Sequence, residues 1–253
     1  MKIAAIQHDV VWEDAKATCA RLAPMIAGAA GAGARLVVLT EMFSTGFSMN
    51  TAAIAEAPDG PSVTFLRQQA AAHGIWLCAS VPVLVPGHTK PFNRLTLATP
   101  EGDAHSYDKI HPFTYSGEHE HYDAGTSFLT VDVEGLRCSF FVCYDLRFAN
   151  EFWELAPSTD CYVLPANWPE SRRLHWQSLL QARAIENQAY VVGVNRVGQG
   201  GKLHYVGDSR IIDPLGELLT TGARAETTLI ADIDPAMVAA TRERFPFMND
   251  RRS

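Results

Sequence analysis

Short β-rich runs separated by helical stretches constrain this chain more than any other feature. KIAAIQ, RLVVLTE, IWLCASVPV, RLTLAT, SFLTVDVEG, LRCSFFVCYD, CYVLPAN and AYVVGVNRVG are rich in branched and aromatic residues, and the pattern resumes from DSRIIDP through TTLIADID. Helical periodicity falls between several of them, at Asp14–Ala32, Pro61–His73, Phe148–Ala156 and Ser171–Gln188. Alternation of this kind predicts an α/β protein, with apolar strands sandwiched between layers. The run Cys138–Cys143 is apolar on both faces and is expected to lie centrally in a sheet.

A chain of 253 residues can keep one core, and no Pro-, Gly- or Ser-rich linker or fixed repeat divides it, so residues 1–253 are expected to form a single domain. The net charge of -7, with 21 scattered Lys and Arg, disfavours nucleic-acid partners, whose phosphates demand clustered cations. The N-terminus reaches His8 and Asp9 before any long apolar run, and no later stretch has the length of a membrane helix. A cytoplasmic protein with no membrane partner is expected. Five cysteines without CxxC spacing predict reduced thiols rather than a disulfide framework or zinc ribbon.

Four of those cysteines, Cys19, Cys78, Cys138 and Cys161, sit inside helix or strand patterns as apolar filler. Cys143 differs, because it ends an apolar strand and precedes a polar turn into the helical ANEFWELA. A strand-to-helix elbow exposes a nucleophile, and the N–H groups that open the helix can lower a thiol pKa and bind an oxyanion. Glu41 likewise stands where the strand RLVVLTE meets an irregular loop, at the strand end where α/β sheets bind ligands. Lys109 follows DAHSYD and opens a long aperiodic stretch, Ile110–Thr126, whose aromatics, histidines and acids predict an ordered functional loop. Taken singly, Glu41 reads equally as a cap and Lys109 as a solvated surface charge.

Three motifs in order, LTEMFSTGF around Glu41, YDKIHPF around Lys109 and FFVCYDLRF around Cys143, resemble the nitrilase, or carbon-nitrogen hydrolase, superfamily. GEHEHYDAG and LLQARAIENQAYVVGVNRVG extend the resemblance over nearly the whole chain. It implies an αββα sandwich and a triad of Glu41 as base, Lys109 as oxyanion stabiliser and Cys143 as nucleophile, with no metal or cofactor. Counting back from Gly125, the family's second glutamate falls on Glu118 rather than Glu120. The backbone N–H of Tyr144 is the implied second oxyanion donor. The family also implies a homodimer, with Phe148–Ala156 and Arg242–Phe247 at the interface. Where many relatives carry proline before the base, this chain has Thr40.

ANWPESRRLHWQSLLQARAIENQ, with CYDLRF and GEHEHYDAG, resembles the omega-amidase branch, whose substrates are the small-molecule amides 2-oxoglutaramate and 2-oxosuccinamate. A carboxylate remote from the amide requires a cation in the pocket. Arg172 and Arg173 are the candidates, alongside Trp168, and each arginine reads equally as helix-surface charge. Arg147 is expected to tie the loop by ion pairing. N-carbamoyl amino-acid hydrolysis, aliphatic amidase or nitrilase activity, and an amide-binding scaffold of the same fold are the alternatives. A zinc site would draw on His111, His119 and His121, perhaps with Glu118 or Glu120, but no HExxH helix supports it. A serine or papain-like hydrolase lacks GxSxG and an identifiable histidine partner.

Overall fold

The computed structural model describes residues 1–252. One sheet holds β1 (Lys2–Gln7), β2 (Leu36–Val38), β3 (Trp76–Val83), β4 (Phe92–Ala98) and β5 (Ala104–Asp108). The other holds β6 (Thr130–Val133), β7 (Leu136–Phe140), β8 (Cys161–Ala166), β9 (Tyr190–Asn195), β10 (Val197–Gly200), β11 (Leu203–Ile212) and β12 (Leu218–Ala223). A last strand, β13 (Thr227–Asp232), returns to the first sheet, antiparallel to β1, so its order is β13-β1-β2-β3-β4-β5. The second sheet runs β10-β11-β9-β8-β7-β6, with β12 on β11. The helices are α1 (Ala15–Gly31), α2 (Thr51–Ile54), α3 (Pro61–His73), α4 (Glu118–His121), α5 (Ala149–Leu155), α6 (Arg173–Asn187) and α7 (Pro235–Arg244).

The period-2 alternation of each strand explains the layering. In β1, Ile3 and Ala5 face the second sheet and join a core with Cys138, Phe140, Tyr162 and Leu164. Ala4 and Ile6 point the other way, into Leu22 and Ile26 of α1 and Leu66 and Ala70 of α3. On the far side, α6 packs on β9 and β11 through Trp176, Leu180 and Ala184. The result is the helix-sheet-sheet-helix sandwich expected from the sequence.

Local chemistry fixes the outer helices. Asp14 caps α1 by accepting from Ala17 N at 2.9 Å, and α3 begins at Pro61, whose missing N–H is no loss in a first turn, and stops at Gly74 with φ 61. The expected central position of Cys138–Phe140 is corrected: β7 is second from the edge, with β6 outside it. Its two-sided burial comes from layers above and below. The opposite sheet covers one side, and Phe141, stacked on Phe152 of α5 at 4.2 Å, continues the packing on the other.

β1, β2 and β3 are mutually parallel, as are β7, β8 and β9. Two antiparallel steps bring β5 into the direction of β3. The residues that follow β2, β5, β7 and β8 can therefore converge at one end of the sandwich.

Candidate active site

Glu41 follows β2 after a short exit in which Leu39 N still bonds to Cys78 O at 2.8 Å. Its carboxylate is fully buried. Oε1 accepts from Lys109 Nζ at 3.0 Å and from Asn93 Nδ2 at 2.8 Å, while Oε2 accepts from Asn167 N at 2.8 Å. Thr40, where proline was the family expectation, donates from its hydroxyl to His8 Nε2 at 3.0 Å. The direction follows because His8 Nδ1 faces Asp9 O at 3.1 Å and must donate there.

Lys109 leaves β5 and is 1% exposed. Its ammonium also reaches Glu118, with Nζ 2.8 Å from Oε2 and 3.1 Å from Oε1. Burial works against this charge, but the nearby Glu118, Glu41 and Cys143 raise its pKa well above the ordinary lysine value. Glu118 opens α4 and takes a further bond from Phe113 N–H. Burial raises its carboxyl pKa, against the pull of Lys109. Glu120, two residues on, is exposed, so only Glu118 joins the cluster. In the stretch Ile110–Thr126, Gly125 pins the far end by donating to Lys109 O at 2.9 Å. A Cβ there would stand 2.0 Å from Asp108 O, so the DAG turn admits no side chain.

Cys143 opens a 3-10 helix (Cys143–Arg147) directly after β7, with φ 47, a left-handed value that costs a non-glycine residue about 1 kcal/mol or more. Asp145 holds this elbow. Its carboxylate, also buried, accepts from Val142 N at 2.9 Å, Tyr107 OH at 2.8 Å and His111 N at 3.0 Å, which ties the nucleophile turn to the Lys109 loop. The first helical hydrogen bond is Asp145 N to Val142 O, so the N–H of Tyr144 has no acceptor within the helix.

The expected lowering of the thiol pKa at this elbow is not what the surroundings produce. Burial, then the Glu41 carboxylate, push Cys143 well above the usual thiol value, while Lys109 and the Asn167 N–H pull more weakly the other way. These surroundings favour the thiol over the thiolate. A thiol, a carboxylate and an ammonium in this order can carry proton abstraction, nucleophilic attack and stabilisation of a developing oxyanion.

Residues 2–243 match the family described as carbon-nitrogen hydrolase. The chain belongs to that family. Among relatives it is similar to omega-amidase YafV of Escherichia coli strain K12, 40% identical with 99% of this chain and 96% of the relative covered. It is also similar to a 2-oxoglutaramate amidase of Bacillus subtilis strain 168, 34% identical over 87% of this chain and 85% of the relative. Among solved structures, XC1258 of Xanthomonas campestris, a CN-hydrolase superfamily protein with an arsenic adduct in its active site, superimposes with TM-score 0.94 at 38% identity, covering 100% of this chain and 97% of that one.

The pocket of this carbon-nitrogen hydrolase has Glu41, Lys109 and Cys143, all buried, at its floor. Phe47, Phe113, Tyr144, Trp168 and Tyr205 form its walls, and Arg147 and Arg172 face it as well. Trp168 is fixed by Nε1 donating to Arg172 O at 2.8 Å. Arg173 is a correction. It turns away to pair with Asp208 at 2.9 Å and does not line the pocket. Arg147 is another, since no carboxylate pairs with it among the described residues. It lies over the Trp168 ring at 4.9 Å and donates to His175 Nδ1 at 3.1 Å, on the pocket wall rather than tying the loop.

Asn93, Asn167, Asp145 and Tyr205 were missed by sequence reasoning. Asn93 lies inside β4 and Asn167 just past β8, where a polar residue at an apolar strand was the available signal, while Asp145 sits in the 3-10 turn and Tyr205 in β11. The histidines weighed for zinc are dispersed: His111 stacks on Phe148 at 3.6 Å between Asp145 and Glu151, while His119 is exposed. Among the described residues no helix is long and apolar enough to cross a membrane.

Proposed function

We propose that this carbon-nitrogen hydrolase is an omega-amidase that hydrolyses the terminal amide of small 2-oxo dicarboxylate monoamides such as 2-oxoglutaramate, through a thioester on Cys143. The observation that carries the reading is the pair of guanidiniums, Arg147 and Arg172, facing the pocket without a carboxylate partner among the described residues. Each rests on an aromatic face instead, Arg147 on Trp168 and Arg172 on Phe113 at 5.1 Å. Cations held so, at the mouth of a pocket with the thiol at its floor, suit a substrate with an amide at one end and a carboxylate at the other. The names of the E. coli and B. subtilis relatives agree.

The high thiol pKa makes proton transfer part of the attack. As Sγ bonds to the amide carbon, its proton passes to Glu41, and the carbonyl becomes an oxyanion facing Lys109 Nζ and the Tyr144 N–H. Glu41 then returns the proton to the departing nitrogen, which leaves as ammonia when the C–N bond breaks. Water enters, gives a proton to Glu41 and attacks the thioester carbon. Collapse frees the acid, and the proton restores the thiol. Glu118 holds Lys109 beside Glu41 and helps position that water.

We take residues 1–253 as one hydrolase domain, working in the cytoplasm as a homodimer. The family match over residues 2–243 supports the first point.

Ammonia release across a substrate panel tests the reading. 2-Oxoglutaramate and succinamate should exceed butyramide in kcat/KM by about ten- to a hundredfold, since one charge-assisted hydrogen bond contributes roughly 1.5 to 3 kcal/mol. Arg172→Met should erase that preference. Equal rates for acid and neutral amides would remove the assignment, and faster turnover of N-carbamoyl amino acids would replace it with that activity.

A further inference from the structure

Tyr205 lines the catalytic pocket, and the mechanism does not use it. It lies in β11, is 3% exposed, and lines the same cavity as Glu41, Cys143 and Arg172. Among the described residues its hydroxyl makes no hydrogen bond. The ring is held rigidly all the same. Arg196, fully buried, stacks its guanidinium 4.8 Å from the ring centre. That arginine is anchored by Asp9 Oδ1 at 2.8 Å and by the carbonyls of Val197 and Gln199 at 3.2 and 3.1 Å. Gly200, across the β10-β11 hairpin, leaves room for the ring, since a Cβ there would stand 2.9 Å from Tyr205 Cε2.

A phenol O–H held on the wall of an open pocket, without a protein acceptor, is free to donate to a bound substrate in place of water. Burial raises the phenol pKa to about 12. Arg196 and Arg172 oppose the rise, and Glu41 and Cys143 add to it. The group is thus a neutral O–H donor at any physiological pH. The pocket it lines also holds the base and thiol, Glu41 and Cys143, and the cation Arg172. A carboxylate is already matched by the two guanidiniums, whereas a single neutral donor matches a carbonyl oxygen.

We propose that Tyr205 is a specificity-determining residue whose hydroxyl donates a hydrogen bond to the 2-oxo group of the substrate. This rests on the omega-amidase reading of the same pocket, and it adds a reason for preferring a 2-oxo acid amide to the plain acid amide of equal length.

The test compares kcat/KM for 2-oxoglutaramate and glutaramate in the unmodified enzyme and in Tyr205→Phe, which keeps the ring on Arg196. The unmodified enzyme should favour the 2-oxo substrate, and Tyr205→Phe should lower that ratio by about tenfold, the effect of one neutral hydrogen bond. A ratio that stays the same, whether both rates fall together or neither falls, would overturn the inference and reduce Tyr205 to a packing residue. So would an unmodified enzyme indifferent to the 2-oxo group. Succinamate against butyramide reports separately on the carboxylate reading, so a failure there is distinguishable from a failure here.

Discussion

Lys109 Nζ stands 3.0 Å from Glu41 Oε1, and neither group is open to solvent. The same ammonium serves Glu118, so one cation holds two buried carboxylates together. Its removal should therefore harm folding as well as chemistry. Lys109→Met is expected to cost about 3 to 5 kcal/mol, the usual penalty for stranding a buried charge. Burial already raises the Glu118 pKa, and a carboxyl raised in the native state favours folding at low pH and loses that contribution as pH rises through its folded value. The deficit of the variant should accordingly shrink on acidification. Urea unfolding of both proteins at about pH 5 and about pH 8 reads this out, and a deficit unchanged by pH would contradict it.

Asn93 divides its amide between the same two carboxylates, with Nδ2 2.8 Å from Glu41 Oε1 and 3.2 Å from Glu118 Oε1. Both of its N–H groups are committed, and Oδ1 is left buried without a partner because a flipped amide would set oxygen against two carboxylates. Asn93→Asp places a third carboxylate beside the first two and should lower kcat by roughly a hundredfold or more, with a shifted pH profile. Asn93→Ala removes the tie without adding charge and should fall by about tenfold. Equal kcat in both variants would show that the side chain only fills space.

Glu41 and Cys143 were legible because each follows an apolar strand, whereas Lys109 follows the polar strand β5 and stood out only through its motif. What the sequence hides is orientation. Arg172 and Arg173 are adjacent letters, yet the first turns into the pocket and the second to Asp208 on β11, a partner 35 residues away. Arg147 looked committed to the loop because arginines near a turn usually find an acid. Here Asp145 is already saturated by Val142, Tyr107 and His111, which leaves Arg147 to the aromatic wall. Tyr205 gave no signal in one dimension, as its placement depends on Arg196 and the β10-β11 register. Burial by distant layers is equally hidden in one dimension, and at Cys143 it raises the thiol pKa.

His8 supplies a test at acid pH. Burial pushes its pKa down to about 4, with Arg196 adding to the fall, because a second ring proton would charge a sealed site and oppose the Thr40 hydroxyl at Nε2. A histidine depressed in this way contributes stability above its unfolded value, and the contribution is lost as pH falls through the folded one. Between about pH 6.5 and about pH 4 the protein should lose roughly 3 kcal/mol to this group. His8→Gln should lose less over that interval, by about that amount, in denaturant titrations of both proteins. Parallel curves would mean that His8 titrates normally.

The central claim is covalent catalysis by Cys143 alone among five free thiols. Cys78, Cys138 and Cys161 are buried in the core, with burial raising the first two far above the ordinary thiol value, and Cys19 is pushed up to about 12. Rapid acid quench during turnover of 2-oxoglutaramate, followed by peptide mass mapping, tests this most directly. The acyl group should appear on the peptide bearing Cys143 and on no other, and Cys143→Ala should show neither the adduct nor ammonia release. An adduct on another residue, or ammonia still released by Cys143→Ala, would contradict the assignment of the nucleophile.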